Sequence, residues 1–250
     1  MSQDPAHSET ERFIEVIDLA ASKGNDDSQR FFDSNGATDR LTVRGYWDFA
    51  VHILTPAVSR YMPVPEDKVA LEIGCGGGRL LNASCSFFKQ AHGVDIHSHQ
   101  REVVEFLATQ SKDNYSLLKT SGSNIDVASG TIDFVYSLSV LQHVALFEVF
   151  QSYVNEAYRC LKVGGVAQLY FGRYSRLPVR QRARAFANGY REMDDQPVNH
   201  TNLVIRTGKA KEVARSAGFS VVDHGDLTGK AQDGSPDAPG RQSSITLLKM

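Results

Sequence analysis

Val69-Ala70-Leu71-Glu72-Ile73-Gly74-Cys75-Gly76-Gly77-Gly78-Arg79 is the stretch on which the reading of this chain turns. An apolar run of strand length ends in glycines at 74, 76 and 78, and a helical segment begins at Arg79. Glycines stand where a backbone must turn sharply and let a ligand approach without side chains in the way. Strand, glycine turn and helix in that order open a βαβ unit, but by themselves they do not say what the turn holds.

Further apolar runs follow at βαβ spacing. Strands are expected at Val69–Ile73, Ala91–Val94, Ser116–Lys119, Ile132–Ser137 and Val166–Phe171, with helices near Arg79–Phe88, His99–Gln110 and Phe147–Cys160. A further helix over Gly208–Ala217, ended by Gly218, precedes Phe219–Val222 and Ser243–Leu248, which pair as an antiparallel hairpin. The polar loop between them, roughly 226 to 242, reads as mobile decoration. Upstream, an apolar stripe of Phe13, Ile14, Val16, Ile17, Leu19 and Ala20 marks an appended helix that stops at Gly24-Asn25. An aromatic-rich helical stretch from Tyr46 to Tyr61 is closed by Pro63 and Pro65. The expected fold is α/β: a Rossmann-like, seven-stranded, mostly parallel sheet with a C-terminal antiparallel hairpin. An N-terminal helical cap spans 1–65, and the core spans 66–250 with an acceptor-binding insertion at about 172–207.

A length of 250 residues with 41% hydrophobic and 22% charged side chains suits one large α/β domain. A formal net charge of −2 supplies no broad positive field, which argues against nucleic acid or an anionic membrane as the partner. Cys75, Cys85 and Cys160 form neither a CxxC pair nor a zinc pattern, and no apolar stretch has the length of a signal peptide or a membrane span. A reducing, cytoplasmic setting is the expectation.

What the turn holds follows from its neighbours. A dinucleotide turn wants its third glycine at 79, where Arg79 stands, whereas here the glycines fall on alternate positions behind Glu72. Asp95 closes the next strand about 20 residues on, where a carboxylate accepts hydrogen bonds from both ribose hydroxyls of an adenosine. That combination favours S-adenosylmethionine (SAM) over NAD.

With Glu72-x-Gly74-x-Gly76-x-Gly78 and Asp95 in place, the chain resembles the class I SAM-dependent methyltransferase family over about residues 66 to 222. Ile132-Asp133-Phe134-Val135-Tyr136-Ser137 matches the family's strand-four motif, and Leu161-Lys162-Val163-Gly164-Gly165 its turn before strand five, with Val163 in place of the usual proline. A proline there would only preset φ, so the departure is one of stiffness. Where the family often has an adenine-binding Asp, this chain has Ser121, and the resemblance implies that Gly122, Ser123 and Asn124 wall the adenine. It further implies SAM contacts at Glu72, Gly74, Cys75, Gly76, Asp95, Ile96 and Ser137, with Tyr46 at the methionine end. For Glu72 the plainer role is a buried acid bracing the loop, and for Cys75 a small apolar side chain in the turn.

The sulfonium already makes the methyl electrophilic, so catalysis consists of holding a nucleophile in line and taking its proton where there is one to take. His143, six residues beyond Ser137, is the candidate general base, against the alternative that it only packs in the turn that follows. Arg173, Trp47 and His200 are the candidate acceptor contacts. Several of the arginines between 173 and 191 instead fit the wet face of a helix over Pro178–Asn188, and Tyr46, Trp47 and Tyr61 read equally as a lid or as the core side of a capping helix. No Asn/Asp-Pro-Pro-aromatic motif follows Tyr136, and no carboxylate stands there to hold a divalent cation, so no metal is expected. The expected activity is metal-independent, His-assisted O-methylation of a small molecule, leaving S-adenosylhomocysteine (SAH). Methylation of a metabolite or sugar at nitrogen or carbon, a catalytically silent SAM-binding protein and a dinucleotide oxidoreductase are the alternatives.

Overall fold

The computed structural model describes residues 11, 14–19, 22, 38–97, 100–110, 113–121, 124–193, 200–229 and 238–250. The N-terminal segment from Thr38 forms α1 (Thr38–Asp48), a π-helical turn over Phe49–Ile53, and α2 (Pro56–Tyr61). The wide turn sets Phe49 and Ile53 on one side, both fully buried. Phe49 stacks on Phe87 at 5.4 Å and meets Tyr136 edge-on at 5.3 Å. With Val58 and Met62 it belongs to the cluster that covers one face of the sheet. This segment is therefore packed into the core over its aromatic half. Trp47 and Tyr61 are partly exposed, at 45% and 39%.

Five parallel strands carry the core: β1 (Val69–Ile73), β2 (Gln90–Asp95), β3 (Tyr115–Lys119), β4 (Ile132–Ser137) and β5 (Leu161–Arg173). Their spatial order is β3-β2-β1-β4-β5. Side chains alternate between two apolar faces, as strands covered on both sides require. Ala70, Phe134, Tyr136, Val166 and Tyr170 face the N-terminal segment, while Leu71, Ile73, Val135, Ala167, Leu169 and Phe171 face the opposite layer. The helices α3 (Arg79–Phe87) and α4 (Gln100–Gln110) pack on each other through Leu81, Cys85, Val103, Phe106 and Leu107. On the other face lies α5 (Phe147–Cys160), which buries Phe147, Phe150, Tyr153, Val154 and Ala157.

After β5 come α6 (Val179–Ala185) and two short strands, β6 (Tyr190–Glu192) and β7 (Leu203–Ile205). They are followed by α7 (Thr207–Ser216), β8 (Phe219–Gly229) and β9 (Ala238–Lys249). The sheet thus has nine strands among the described residues where seven were expected, the extra pair lying in the insertion. The expected C-terminal hairpin is also longer: β8 and β9 take in Asp226 and Gln242, which the sequence reading assigns to a polar loop. Polar strand ends carry no apolar alternation, so their pairing leaves little trace in the sequence.

Gly172 fixes where the insertion lies. On one side it pairs with Gln242 of β9 and on the other with Val204 of β7, the side that β4 occupies as far as Leu169. The short hairpin therefore continues the sheet beyond the end of β4, over the edge where the parallel strands stop and ligands of open α/β sheets bind. Among the described residues no helix is long and apolar enough to cross a membrane.

Candidate active site

The glycine turn hangs on β2. Gly74 and Cys75 both donate their amides to the Val94 carbonyl, at 2.8 and 3.1 Å, and the Gly78 amide closes the turn on the Cys75 carbonyl at 2.8 Å. Gly74, Gly76 and Gly78 have φ of 77, 50 and 85°, left-handed values that explain why glycine recurs at alternate positions. The turn leads directly into the N-terminus of α3, whose dipole gives this rim a partly positive character.

The in-register pairing of β1 with β2 delivers Asp95 to this rim. Its Oδ2 accepts from the Gly76 amide at 2.7 Å, and its Oδ1 accepts from the Ile96 amide at 2.7 Å. Oδ2 thus reaches the turn, while Oδ1 is held by the backbone at the end of β2 itself. His97, absent from the sequence-based candidates, is almost wholly buried there, with Nε2 3.3 Å from the Gly76 carbonyl and 3.8 Å from Asp95 Oδ2. A histidine two residues beyond the strand end carries no periodicity that would have singled it out.

Glu72 lies under the turn, 2% exposed. Its partner is Tyr136, whose hydroxyl donates to Glu72 Oε2 at 3.1 Å from the in-register position on β4. Burial pushes the Glu72 carboxyl up to about 8, outweighing the opposing pull of Tyr136 and of the Arg79 charge. Cys75 is buried, and its thiol is held well above its ordinary range by burial and by the nearby carboxylates. It acts as a small apolar filler: a Cβ on Gly93 would stand 2.9 Å from its sulfur.

The N-terminal segment touches the turn through Asp48, which accepts from Arg79 Nη1 at 2.5 Å and lies 3.6 Å from Arg44 Nε. Tyr46 goes elsewhere. Its hydroxyl is 2.5 Å from Ser86 Oγ, two turns of α3 away from the glycines, so Tyr46 braces the far end of that helix. The cause is the close approach of α1 at Gly45, where any Cβ would overlap the Arg79 carbonyl.

On the other side of Asp95, Ser121 and Asn124 are exposed, while Gly122 and Ser123 lie outside the described residues. This loop is fastened from α5: Glu156 Oε2 accepts from the Ile125 amide at 2.8 Å, and Arg159 donates to the Ile125 and Val127 carbonyls at 2.7 and 2.6 Å. Ile125 itself is buried.

The segment leaving β4 forms the third wall. Ser137 is buried and donates from Oγ to the Ile73 carbonyl at 3.0 Å. Val140 packs over Gly74 so closely that a Cβ there would overlap its methyls. His143 donates from Nδ1 to the His200 carbonyl at 2.6 Å, and its Nε2, 3.0 Å from Gln142 Nε2, accepts from that amide. Burial lowers its pKa against the pull of the His200 carbonyl, so at neutral pH the ring is uncharged with the lone pair on Nε2. The amides of Asn202 and Leu203 meet the Gln142 carbonyl at 2.8 and 3.1 Å, joining this loop to the insertion. The same hairpin docks on the start of α5, where Glu192 accepts from the Phe147 amide at 2.7 Å and Tyr190 stacks on Phe147 at 3.9 Å. His200 therefore meets His143 through its backbone. Arg173, at the end of β5, is ion-paired with Asp226 of β8. Trp47 stands partly exposed on α1. Among the described residues no group of three His, Cys, Asp or Glu side chains is placed to hold a metal ion.

Residues 71–169, from β1 into β5, match the model of the methyltransferase domain family. Over that span the chain is similar to SAM-dependent methyltransferases. Over 105 residues the chain is 30% identical to the ubiquinone biosynthesis O-methyltransferase of Brucella anthropi, a match covering 42% of this chain and 41% of that one. The similarity thus spans less than half of that relative's length. Among solved structures, a SAM-dependent methyltransferase from Methanosarcina mazei superposes with a TM-score of 0.57 at 18% identity, covering 79% of this chain and 98% of that chain. A phosphoethanolamine N-methyltransferase from Haemonchus contortus, solved with phosphomonomethylethanolamine and SAH, superposes with a TM-score of 0.56 at 15% identity, over 90% of this chain and 60% of that one. At such identities the methyltransferase domain shares its fold with these structures.

Proposed function

We propose that the chain transfers the methyl group of SAM to a hydroxyl oxygen of a small molecule. The observation that carries this reading is the Asp95 carboxylate held against the Gly76 amide at the ligand-binding edge of the sheet. In that place it accepts the two ribose hydroxyls, with Ile96 alongside, while Gly74, Cys75 and Gly76 follow the rest of the cofactor and Glu72 lies beneath its cationic end. Asn124 borders the adenine, and Ser137 marks the floor where the methyl is handed over.

Transfer to oxygen is supported by the name of the Brucella relative and by the chemistry of His143. A neutral imidazole whose Nδ1 proton is committed to a carbonyl keeps a lone pair on Nε2, and turning the Gln142 amide aside frees that pair to take the hydroxyl proton. Trp47, Arg173 and His200 surround the acceptor side, with Arg173 kept straight by Asp226. The engagement of both His143 nitrogens favours a second reading, a neutral amine acceptor that attacks without a base. Titration calorimetry with SAM, SAH and NADH tests the donor, and methyl transfer from isotopically labelled SAM to matched phenol and amine acceptors tests the receiver. Binding of NADH in preference to SAM would overturn the proposal, and transfer to amines alone would establish the second reading.

A further inference from the structure

Among the described residues Ser139 is the non-glycine residue with a left-handed backbone, φ 63°, and it sits at the head of the loop that carries Val140 and His143. Such a conformation is disfavoured for a residue with a Cβ and persists only where surrounding contacts enforce it. The enforcing contact comes from far along the chain. Gln242, 4% exposed on β9, accepts from the Ser139 amide with Oε1 at 3.0 Å and donates from Nε2 to Ser139 Oγ at 3.1 Å. β9 lies on the other side of β5 from β4, and the β5 residue in register with Gln242 is Gly172, which has no side chain. One carboxamide thus grips both the backbone and the hydroxyl of a strained residue two strands away.

What the grip holds is specific. From Ser139 the chain passes Val140 across Gly74, and the Val140 carbonyl then accepts the His143 amide at 2.8 Å, which seats the imidazole toward His200. Released from its left-handed twist, Ser139 would swing Val140 off the glycine turn and tilt His143. We propose that Gln242 is a positioning residue for methyl transfer, clamping Ser139 so that Val140 and His143 keep a fixed place between donor and acceptor. This rests on the reading of the loop as the acceptor wall.

The test compares Gln242→Met, equal in length but unable to hydrogen-bond, with Gln242→Glu, which can still accept from the Ser139 amide and pair with its hydroxyl. Amide hydrogen exchange is followed in the presence of SAH, whose affinity is measured in parallel. In Gln242→Met the Ser139 and His143 amides should exchange at least about 10-fold faster, the loss of a buried hydrogen-bonded clamp, while β5 amides and the SAH dissociation constant stay within about threefold. Gln242→Glu should restore protection. In a Ser139→Gly background, where left-handed backbone is unstrained, the effect of Gln242→Met should shrink to less than about threefold. Equal exchange in wild type and Gln242→Met, acceleration spread evenly along β9, or no restoration by Gln242→Glu would overturn the inference. Failure of the wild type to bind SAH would instead sink the functional reading and leave the exchange result to decide the clamp by itself.

Discussion

Replacing Glu72 by glutamine should make the ligand-free protein more stable in mild alkali and leave it nearly unchanged in mild acid. Glutamine keeps the size and can still accept from Tyr136, but it has no charge to bury. The wild-type carboxyl is raised from 4.5 to about 8 in the fold. A carboxyl raised in this way stays protonated in the native state over a range where the unfolded chain has released its proton. Stability therefore falls as pH rises from about 4.5, and the loss is complete above about 8. At about 1.4 kcal/mol per pH unit the ceiling is on the order of 5 kcal/mol, and relaxation around the charge reduces it. Half of that would raise the melting temperature by roughly 5 to 10 °C in a chain of this size. Thermal melts of wild type and Glu72→Gln at pH 5 and pH 8.5, without ligand, read this directly. The difference should be close to zero at pH 5 and strongly in favour of the variant at pH 8.5. A difference independent of pH, or a variant less stable at pH 8.5, would refute the buried-acid reasoning. If the carboxylate lies beneath the cationic end of SAM, the same variant should bind SAM more weakly at pH 8.5 while melting higher, two effects of opposite sign from one atom exchange.

Asp95→Ala should weaken SAM binding 10-fold or more, since about 1.5 to 3 kcal/mol rests on hydrogen bonds to a charged group; unchanged affinity by calorimetry would remove Asp95 from the donor site. His143→Ala should slow transfer to a phenol by roughly 10² to 10⁴, the usual range for a general base, and leave SAM affinity within about threefold. An unimpaired rate would make the histidine structural. Gly172→Ala places a Cβ into the Leu203 carbonyl, so β7 must move, and urea melts should show a loss of about 1 to 3 kcal/mol with faster proteolysis of the insertion. An unchanged midpoint would mean that the hairpin is not seated where β5 and β7 pair.

The core was legible because its signals are local and periodic. Val69–Ile73, Ile132–Ser137 and Phe147–Cys160 fall where the apolar runs place them, since strands covered on both faces and a helix buried along one face write their own patterns into the residues. Asp95 was legible from spacing, because a parallel β1–β2 pair leaves few places for a strand-end acid. The insertion was not legible. β6 and β7 are three residues each, too short for alternation to count, and they are defined by the pairing of β7 with β5, of β6 with β7, and by Glu192 on the start of α5. Tyr46 read equally as a lid or as the core side of a capping helix, and the direction of its side chain was not legible: the approach of α1 at Gly45 sets its hydroxyl against Ser86. Gln242, within a stretch rich in Gly, Pro and Ser, gave no sign of the residue it meets 103 positions earlier.

The hydrogen bonds that close the two sides of the site differ in reach. Gly76 and Asp95 are 19 residues apart, whereas His143 meets the His200 carbonyl across 57 residues and Ser139 meets Gln242 across 103. Bringing distant residues together loses more chain entropy and is completed later in folding. The donor side can therefore close from a short piece of chain, while the acceptor side waits for the last strand to dock and is the first to open when it loosens. Transient openings of the native protein would expose the edge at Ser139 and His143 while the turn at Gly76 and Asp95 stays closed; under the proposed methyl transfer, that order lets a methylated product leave before the cofactor half opens.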